Sequence, residues 1–175
     1  MTTPALTSTT VTTPLGDMLA IFTADGLCLL EFTDYHRLPQ AIRAVEKAVG
    51  SSTAAQSGSL GRQLQHELDD YFAGRRTRFD IPLALIGTLF QKTVWQALLA
   101  VPYGTTRSYR EQARRCGNPQ AVRAVAAANG SNKIAIIVPC HRIIGSNGSL
   151  TGYAGGLARK QALLELEHRF DIQIK

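Results

Sequence analysis

The chain has 175 residues, of which 45% are hydrophobic and 18% charged, a balance typical of a globular protein with a substantial core. Three scattered cysteines, Cys28, Cys116 and Cys140, lack the even number and spacing of a disulfide framework or a zinc site. The Thr-rich start Met1–Thr13 has neither the basic and apolar regions of a signal peptide nor the length of a membrane span. We therefore expect a soluble protein in the reducing cytoplasm, with no membrane partner.

The net charge of +6 is concentrated in the C-terminal half. Residues 1–87 carry 7 Lys and Arg against 9 Asp and Glu, whereas residues 88–175 carry 12 against 4. Such a basic half indicates an anionic partner, for example a nucleic acid. A basic surface that is merely solvated explains the charge alone equally well.

The first half predicts a small α/β unit. Val11–Phe22 and Leu27–Phe32 are rich in strand-forming residues, and the turn residues Ala24-Asp25-Gly26 between them are typical of a hairpin. Pro39 suits a first helical turn, and Ala41–Val49 continues with helical spacing.

The remainder of this half predicts a loop, a helix and a strand. Gly50–Ser59 is rich in Ser, Gly and Ala and is expected to be a mobile loop. An apolar stripe with a spacing of four predicts an amphipathic helix that Gly74 ends, and Arg78–Ile81 is expected to form a strand before Pro82. The stripe consists of Leu60, Leu64, Leu68 and Phe72.

The second half begins with a predicted helix that Thr88 caps and that runs to Leu99, before the turn Pro102-Tyr103-Gly104. Its expected buried residues are Val94, Trp95 and Leu98.

Two further helices follow around a tight turn. Ser108 and Glu111 form a capping-box pattern for a short helix that reaches Cys116. After Gly117, Asn118 is expected to cap the next helix, Gln120–Asn129, with Pro119 at its first position. The outline is that of a helix-turn-helix element for DNA binding, although many helical hairpins share it.

The second of these helices is unusually slim. Its small residues surround one long charged side chain, Arg123. A helix with ordinary side chains is about 10–12 Å across and the minor groove of B-DNA is about 6 Å wide, so small residues permit minor-groove docking. Tight packing against another helix explains the same composition. The small residues are Ala121, Ala124, Ala126, Ala127 and Ala128.

A reactive thiol is expected after the apolar run Ile134–Val138, which reads as a strand and leads into Pro139, Cys140, His141 and Arg142. The thiolate is the nucleophilic form of cysteine, and a neighbouring cation or imidazole favours it. A cysteine that serves only packing is the alternative, because cysteine is among the most often buried residue types. An unrelated cysteine hydrolase that uses Cys140 and His141 is a further alternative, but it leaves the basic half and Arg123 unexplained.

The segment Pro139–Ile144, together with Asn129–Asn132 before it and Thr151–Leu157 after it, resembles the O6-alkylguanine-DNA alkyltransferases. The resemblance is close over residues 88–168 and general before them. It implies an α/β protein with a small N-terminal α/β domain of ribonuclease H-like type, residues 1–82. A C-terminal winged helix-turn-helix-like domain, residues 83–175, would bind DNA and hold the active site.

The activity that this resemblance implies is direct reversal of DNA damage. O6-alkylguanine, and also O4-alkylthymine, would be flipped out of double-stranded DNA, and its alkyl group transferred irreversibly to Cys140. Each molecule would act once, without a metal or any other cofactor. The protein would bind the minor groove as a monomer, with cooperative binding left open. Related damage-binding proteins without activity lack the acceptor cysteine, which this chain has.

The resemblance also implies roles for individual residues. Cys140 would be the alkyl acceptor, and His141 would act as its base through a water molecule. Glu167 would orient His141, Asn132 would brace the turn before the strand, and Tyr109 would protonate the leaving base.

Two further groups of residues follow from the same resemblance. Arg123 would enter the duplex in place of the flipped base, because filling the gap offsets the few kcal/mol that extrusion costs. Ala154 stands where some family members carry a serine, so a backbone amide would have to contact O6. The remaining DNA contacts would be Tyr109, Arg110, Asn118, Ala121 and Ser146, and the guanine pocket would consist of Val138, Tyr153, Ala154, Gly155 and Gly156.

Overall fold

The computed structural model describes residues 5–174, with side chains as far as residue 171. The chain divides into two compact units between Ile86 and Gly87, slightly beyond the predicted boundary after residue 82. The strands are β1 (Leu6–Thr13), β2 (Gly16–Thr23), β3 (Gly26–Phe32), β4 (Thr53–Ala55), β5 (Arg107–Ser108) and β6 (Ile143–Ile144). The helices are α1 (Leu38–Val49), α2 (Ser59–Phe72), α3 (Leu89–Leu99), α4 (Tyr109–Arg115), α5 (Val122–Gly130) and α6 (Leu157–Ile174).

The first unit is a four-stranded sheet with helices α1 and α2. Its strand order is β3-β2-β1-β4, with β1, β2 and β3 antiparallel and β4 parallel to β1. The predicted β2–β3 hairpin is confirmed, and Gly26 in it has a φ of +149°, where a Cβ would clash with the carbonyl oxygen of Pro82. Helix α1 begins as predicted, with Pro39 in its first turn. Apolar residues of the sheet and α1 form the core: Leu6, Ile21, Cys28, Leu29, Leu38 and Val45.

Two predictions for this unit were wrong because local turns and strands were missed. The run Val11–Phe22 is divided between β1 and β2 by a turn, in which the hydroxyl of Thr13 accepts from the N–H of Leu15 at 3.1 Å. The expected loop Gly50–Ser59 contains β4, whose Thr53 N–H donates to the carboxylate of Glu46 at 2.9 Å. Of the segment Met1–Thr13, the first four residues lie outside the described range.

The predicted strand Arg78–Ile81 is also absent from the described structure. The buried carboxylate of Glu67 on α2 accepts from the N–H groups of Asp80 at 2.6 Å and Ile81 at 3.2 Å. Because these groups bond to a side chain, they do not form a ladder with a neighbouring strand. Helix α2 itself runs as predicted, with Leu64 and Leu68 buried.

The second unit opens with the predicted capped helix. Thr88 and Gln91 form a reciprocal capping box at the start of α3, and Val94, Trp95 and Leu98 are buried. Ser108 caps α4 by accepting from the N–H of Glu111 at 3.1 Å.

The predicted start of α5 was wrong. The helix begins at Val122 after Ala121, and the Asn118 side chain forms no cap to it. Residues 119 and 120 belong to a turn in which the N–H of Ala121 donates to the carbonyl of Asn118 at 3.0 Å. Because this turn lies before the helix, Pro119 does not occupy its first position. No helix within residues 5–174 is long and apolar enough to span a membrane.

Candidate active site

Cys140 lies at the start of a one-turn 3₁₀ helix, Cys140–Arg142, hereafter the cysteine turn. The predicted strand before it, Ile134–Val138, was wrong. The segment bonds to itself instead, with the N–H of Val138 donating to Ile134 at 3.1 Å and that of Cys140 donating to Val138 at 2.8 Å. Ile136 has a φ of +71°, outside the extended range that a strand requires. Apart from an isolated bridge at Ile134, the run forms no strand in the described structure, and it is apolar because it is buried.

Asn132 holds this folded segment in shape. Its side-chain oxygen accepts from the N–H of Ile134 at 2.9 Å, and its side-chain amide donates to the carbonyl of Val138 at 2.9 Å. The same amide nitrogen lies 3.3 Å from the sulfur of Cys140 and donates to it. One side chain therefore fixes both ends of the segment and contacts the thiol.

Glu167 on α6 is fully buried and binds the other two residues of the cysteine turn. Its carboxylate lies 2.7 Å from Nε2 of His141 and 2.7 Å from Nε of Arg142, and a second guanidinium nitrogen of Arg142 lies at 3.0 Å. The N–H of Gly104 donates to it at 3.3 Å. The helix, the cysteine turn and the turn after α3 are thus joined at one carboxylate.

These contacts determine the protonation states of Glu167 and His141. Burial alone would raise the pKa of Glu167, but His141 and Arg142 hold it far below its usual value, so Glu167 is ionised. Burial lowers the pKa of His141 more than Glu167 raises it. An ionised carboxylate only accepts, so the neutral imidazole donates from Nε2 and has an acceptor at Nδ1. Nδ1 is buried and has no hydrogen-bond partner among the described residues.

Arg142 is held in turn by the segment that follows α3. A guanidinium nitrogen donates to the carbonyl of Val101 at 2.7 Å, and the guanidinium lies 5.7 Å from the ring centre of Tyr103. Burial, together with the nearby Glu167, raises the pKa of Tyr103 to about 12. The phenol therefore stays neutral beside the Glu167 carboxylate.

A cavity of about 420 Å³ has Cys140 in its wall. Tyr109 lies in its wall and donates its hydroxyl to the carbonyl of Thr151 at 2.8 Å. The remaining lining comes from α5 and from the segment before α6. The lining residues are Tyr109, Val122, Arg123, Ala126, Asn129, Gly130, Cys140, Thr151, Gly152, Tyr153 and Ala154.

Some residues predicted for the site meet at this cavity, and others do not. Tyr153 and Ala154 line it, whereas Val138, Gly155 and Gly156 are not among its described lining residues. Val138 instead receives the Asn132 amide through its carbonyl. The predicted DNA contacts Arg110, Asn118, Arg123 and Ser146 are exposed, and Ala121 is half-buried.

The two faces of the slim helix α5 differ in burial. Val125 and Ala128 are buried, and the carbonyl of Ala128 accepts from the indole of Trp95 at 2.8 Å. Arg123, Ala124 and Ala127 are exposed. One face therefore packs within the unit while the other presents small residues and a single cation.

Three buried polar residues near the site were not predicted from the sequence. Gln112 and Asn129 exchange side-chain hydrogen bonds of 2.8 and 2.6 Å between α4 and α5. Lys160 on α6 is buried and bonds to three backbone carbonyls. Lys160 and Glu167 are seven residues apart, so they share a face of α6, and this spacing was the available signal. No cluster of three or more His, Cys, Asp or Glu within the described residues suits a metal ion.

Family models match most of the chain. The ribonuclease-like domain of 6-O-methylguanine DNA methyltransferase matches residues 6–85, and the DNA binding domain of the same proteins matches residues 89–169. The chain therefore belongs to the methylated-DNA–protein-cysteine methyltransferase family. The predicted family and its two-domain α/β fold are confirmed.

Individual relatives agree with this assignment. A Methanosarcina acetivorans methylated-DNA–protein-cysteine methyltransferase is 45% identical over 154 residues, which cover 88% of this chain and 93% of the relative. The Mycobacterium bovis protein of that name is 63% identical over 101 residues, 58% of this chain and only 61% of the relative's length. The crystal structure of Mycobacterium tuberculosis OGT in complex with DNA has a TM-score of 0.81 and 43% identity, and the match covers 94% of both chains.

We expect Glu167→Gln to lower the free energy of unfolding by about 3 kcal/mol or more, because it leaves the buried guanidinium of Arg142 without its counter-charge. Denaturant unfolding measures the loss. Glu165→Gln changes an exposed carboxylate two residues away on the same helix and should cost less than about 0.5 kcal/mol. Equal stabilities for the two variants would contradict the assigned role.

The free energy of unfolding should also decrease as the pH falls below about 6.5. The lowered pKa of buried His141 means that the unfolded chain takes up a proton that the folded protein excludes, and Glu167 adds the same effect at lower pH. The contribution of neutral His141 to the free energy of unfolding is therefore present above pH 6.5, the ordinary pKa of histidine, and is lost as the pH falls below it. Unfolding curves between about pH 7 and 5 test this, and the slope should be smaller in His141→Gln. An unchanged slope in that variant would refute the assignment to His141.

Proposed function

We propose that this protein repairs O6-alkylguanine in double-stranded DNA by transferring the alkyl group to Cys140. The observation that carries the proposal is the position of Cys140 in the wall of a cavity, next in the chain to a histidine that a buried carboxylate orients. The family membership supports the reaction, and the relative crystallised with DNA supports the substrate. O4-alkylthymine presents an equivalent alkyl oxygen and is proposed as a second substrate.

The reaction begins with removal of the Cys140 proton. Nε2 of His141 donates to Glu167, so Nδ1 is the atom that accepts a proton, through a water molecule, from the thiol. The amide of Asn132, 3.3 Å from the sulfur, donates to the thiolate that forms. Asn132 and His141, the two side chains that act on the sulfur in this mechanism, are themselves fixed by further hydrogen bonds. The nucleophile is therefore aligned before the substrate arrives.

Alkyl transfer then proceeds as a displacement at carbon. The thiolate forms a carbon–sulfur bond while the carbon–O6 bond breaks, and its electron pair passes to guanine. The hydroxyl of Tyr109, at the cavity wall, protonates the leaving base. The thioether product has no hydrolytic route back, so each protein molecule reacts once.

DNA recognition is assigned to α5. Its exposed face carries small residues around Arg123, and Arg123 also lines the cavity. We propose that this face enters the minor groove and that Arg123 occupies the space left by the flipped base. A single protein molecule holds all of these groups, so the protein acts as a monomer.

A labelled alkyl group on guanine O6 in duplex DNA should become covalently bound to the protein, with about one label per molecule. Mass spectrometry should place it on the peptide that contains Cys140. Cys140→Ser should abolish transfer, whereas Cys116→Ser, which changes a free thiol outside the cavity lining, should leave it unchanged. Undiminished transfer by Cys140→Ser would refute the proposal.

Arg123→Ala should slow repair of duplex DNA by about tenfold or more and leave the reaction with free O6-alkylguanine base nearly unchanged, because only the duplex requires base extrusion. Single-turnover rates on both substrates measure this. Arg114→Ala removes an exposed cation of α4 that does not line the cavity, and controls for overall charge. If Arg123→Ala slows both reactions equally, the proposal that Arg123 assists extrusion of the base is refuted.

A further inference from the structure

Lys160 is a fully buried cation whose described hydrogen-bond partners are all backbone carbonyls. Its ammonium group bonds to the carbonyl oxygens of Ile143 at 2.6 Å, Thr151 at 2.8 Å and Gly152 at 3.4 Å. Within the part of the chain that the structure describes, it forms no ion pair with a carboxylate. Burying an ammonium costs several kcal/mol, and carbonyl dipoles offset this only in part.

The three carbonyls belong to the surroundings of the reactive sulfur. Ile143 directly follows the cysteine turn, and Thr151 and Gly152 line the cavity at Cys140. The Thr151 carbonyl also accepts from the hydroxyl of Tyr109, whose ring centre lies 5.8 Å from the Lys160 nitrogen. The ammonium group therefore links one wall of the cavity to the end of the cysteine turn.

The charge of Lys160 also interacts with Cys140. Burial lowers the pKa of Lys160, and the Cys140 thiolate opposes that effect by favouring the charged amine. A Coulomb interaction between two charges is mutual, so the ammonium group and a Cys140 thiolate attract each other. A side chain needed only for packing would be apolar here, because a methionine of similar length fills the same space without the cost of desolvation.

We propose that Lys160 is a positioning residue for the reactive sulfur: it holds the Thr151–Gly152 wall against the end of the cysteine turn, and its charge stabilises the Cys140 thiolate. The proposal deepens the proposed alkyl transfer and rests on it. The other titratable or charged side chains around the sulfur are His141 in the same turn, Tyr109 of α4 and Arg123 of α5, while Arg142 is paired with Glu167.

The test measures how fast Cys140 reacts with iodoacetamide as a function of pH, by mass spectrometry of the Cys140 peptide in the full-length protein. This reaction needs no DNA, so it reports on the thiolate even if the proposed function is wrong. Lys160→Met removes the charge and the donors, and Lys160→Gln removes the charge but keeps donors for the carbonyls. Lys92→Met changes an exposed lysine of α3 and serves as the control.

Both Lys160 variants should move the pH at which the rate is half-maximal upward by about one unit, while Lys92→Met follows the parent protein. Transfer from duplex DNA should fall further in Lys160→Met than in Lys160→Gln, because only the former releases the cavity wall. A pH profile in Lys160→Gln that superimposes on the parent profile would overturn the charge role. If both variants fail to fold, as judged by circular dichroism, Lys160 serves the fold rather than the sulfur, which also overturns the proposal.

Discussion

The carboxylate of Glu167 accepts hydrogen bonds from His141, Arg142 and the N–H of Gly104, and so joins α6 to the cysteine turn and to the turn after α3. An ionised carboxylate removed from water requires donors on both oxygens, and each donor is thereby fixed in place. The imidazole must donate from Nε2, so its other nitrogen is an acceptor. The protonation state that sulfur activation needs is thus a consequence of how the helix is anchored.

Helix α6 supplies charges of both signs to the cysteine turn. Lys160, Leu163 and Glu167 are buried and lie on one face, since their spacings of three and four residues match the helical period. The cation bonds to the carbonyl of Ile143 just after the turn, and the anion binds His141 and Arg142. A rigid helix thereby sets the distance between the two charged groups, which loops would fix less well.

Features of the sequence that act locally were predicted well. The capping box of Thr88, the hairpin at Gly26 and the Pro-Cys-His-Arg segment depend on residues adjacent in the chain, so their chemistry is visible in the sequence. Predictions from apolar patterns were less successful. The run Ile134–Val138 is apolar and buried, as a core strand would be. Burial alone, however, does not distinguish a strand from a compact turn held by Asn132.

The sequence by itself determined the family, and it also singled out the proposed nucleophile Cys140 and the cation of α5, Arg123, because each lies in a short segment with specific residue types. Only the tertiary structure showed that the N–H groups of residues 80 and 81 donate to the Glu67 carboxylate and not to a neighbouring strand. It also showed that Lys160 and Glu167 are buried and not solvated. Lys160 bonds to Ile143, which is 17 residues away in the sequence, and Glu167 bonds to His141, which is 26 residues away. Helical periodicity places such charges on a face, but only packing brings their distant partners to it.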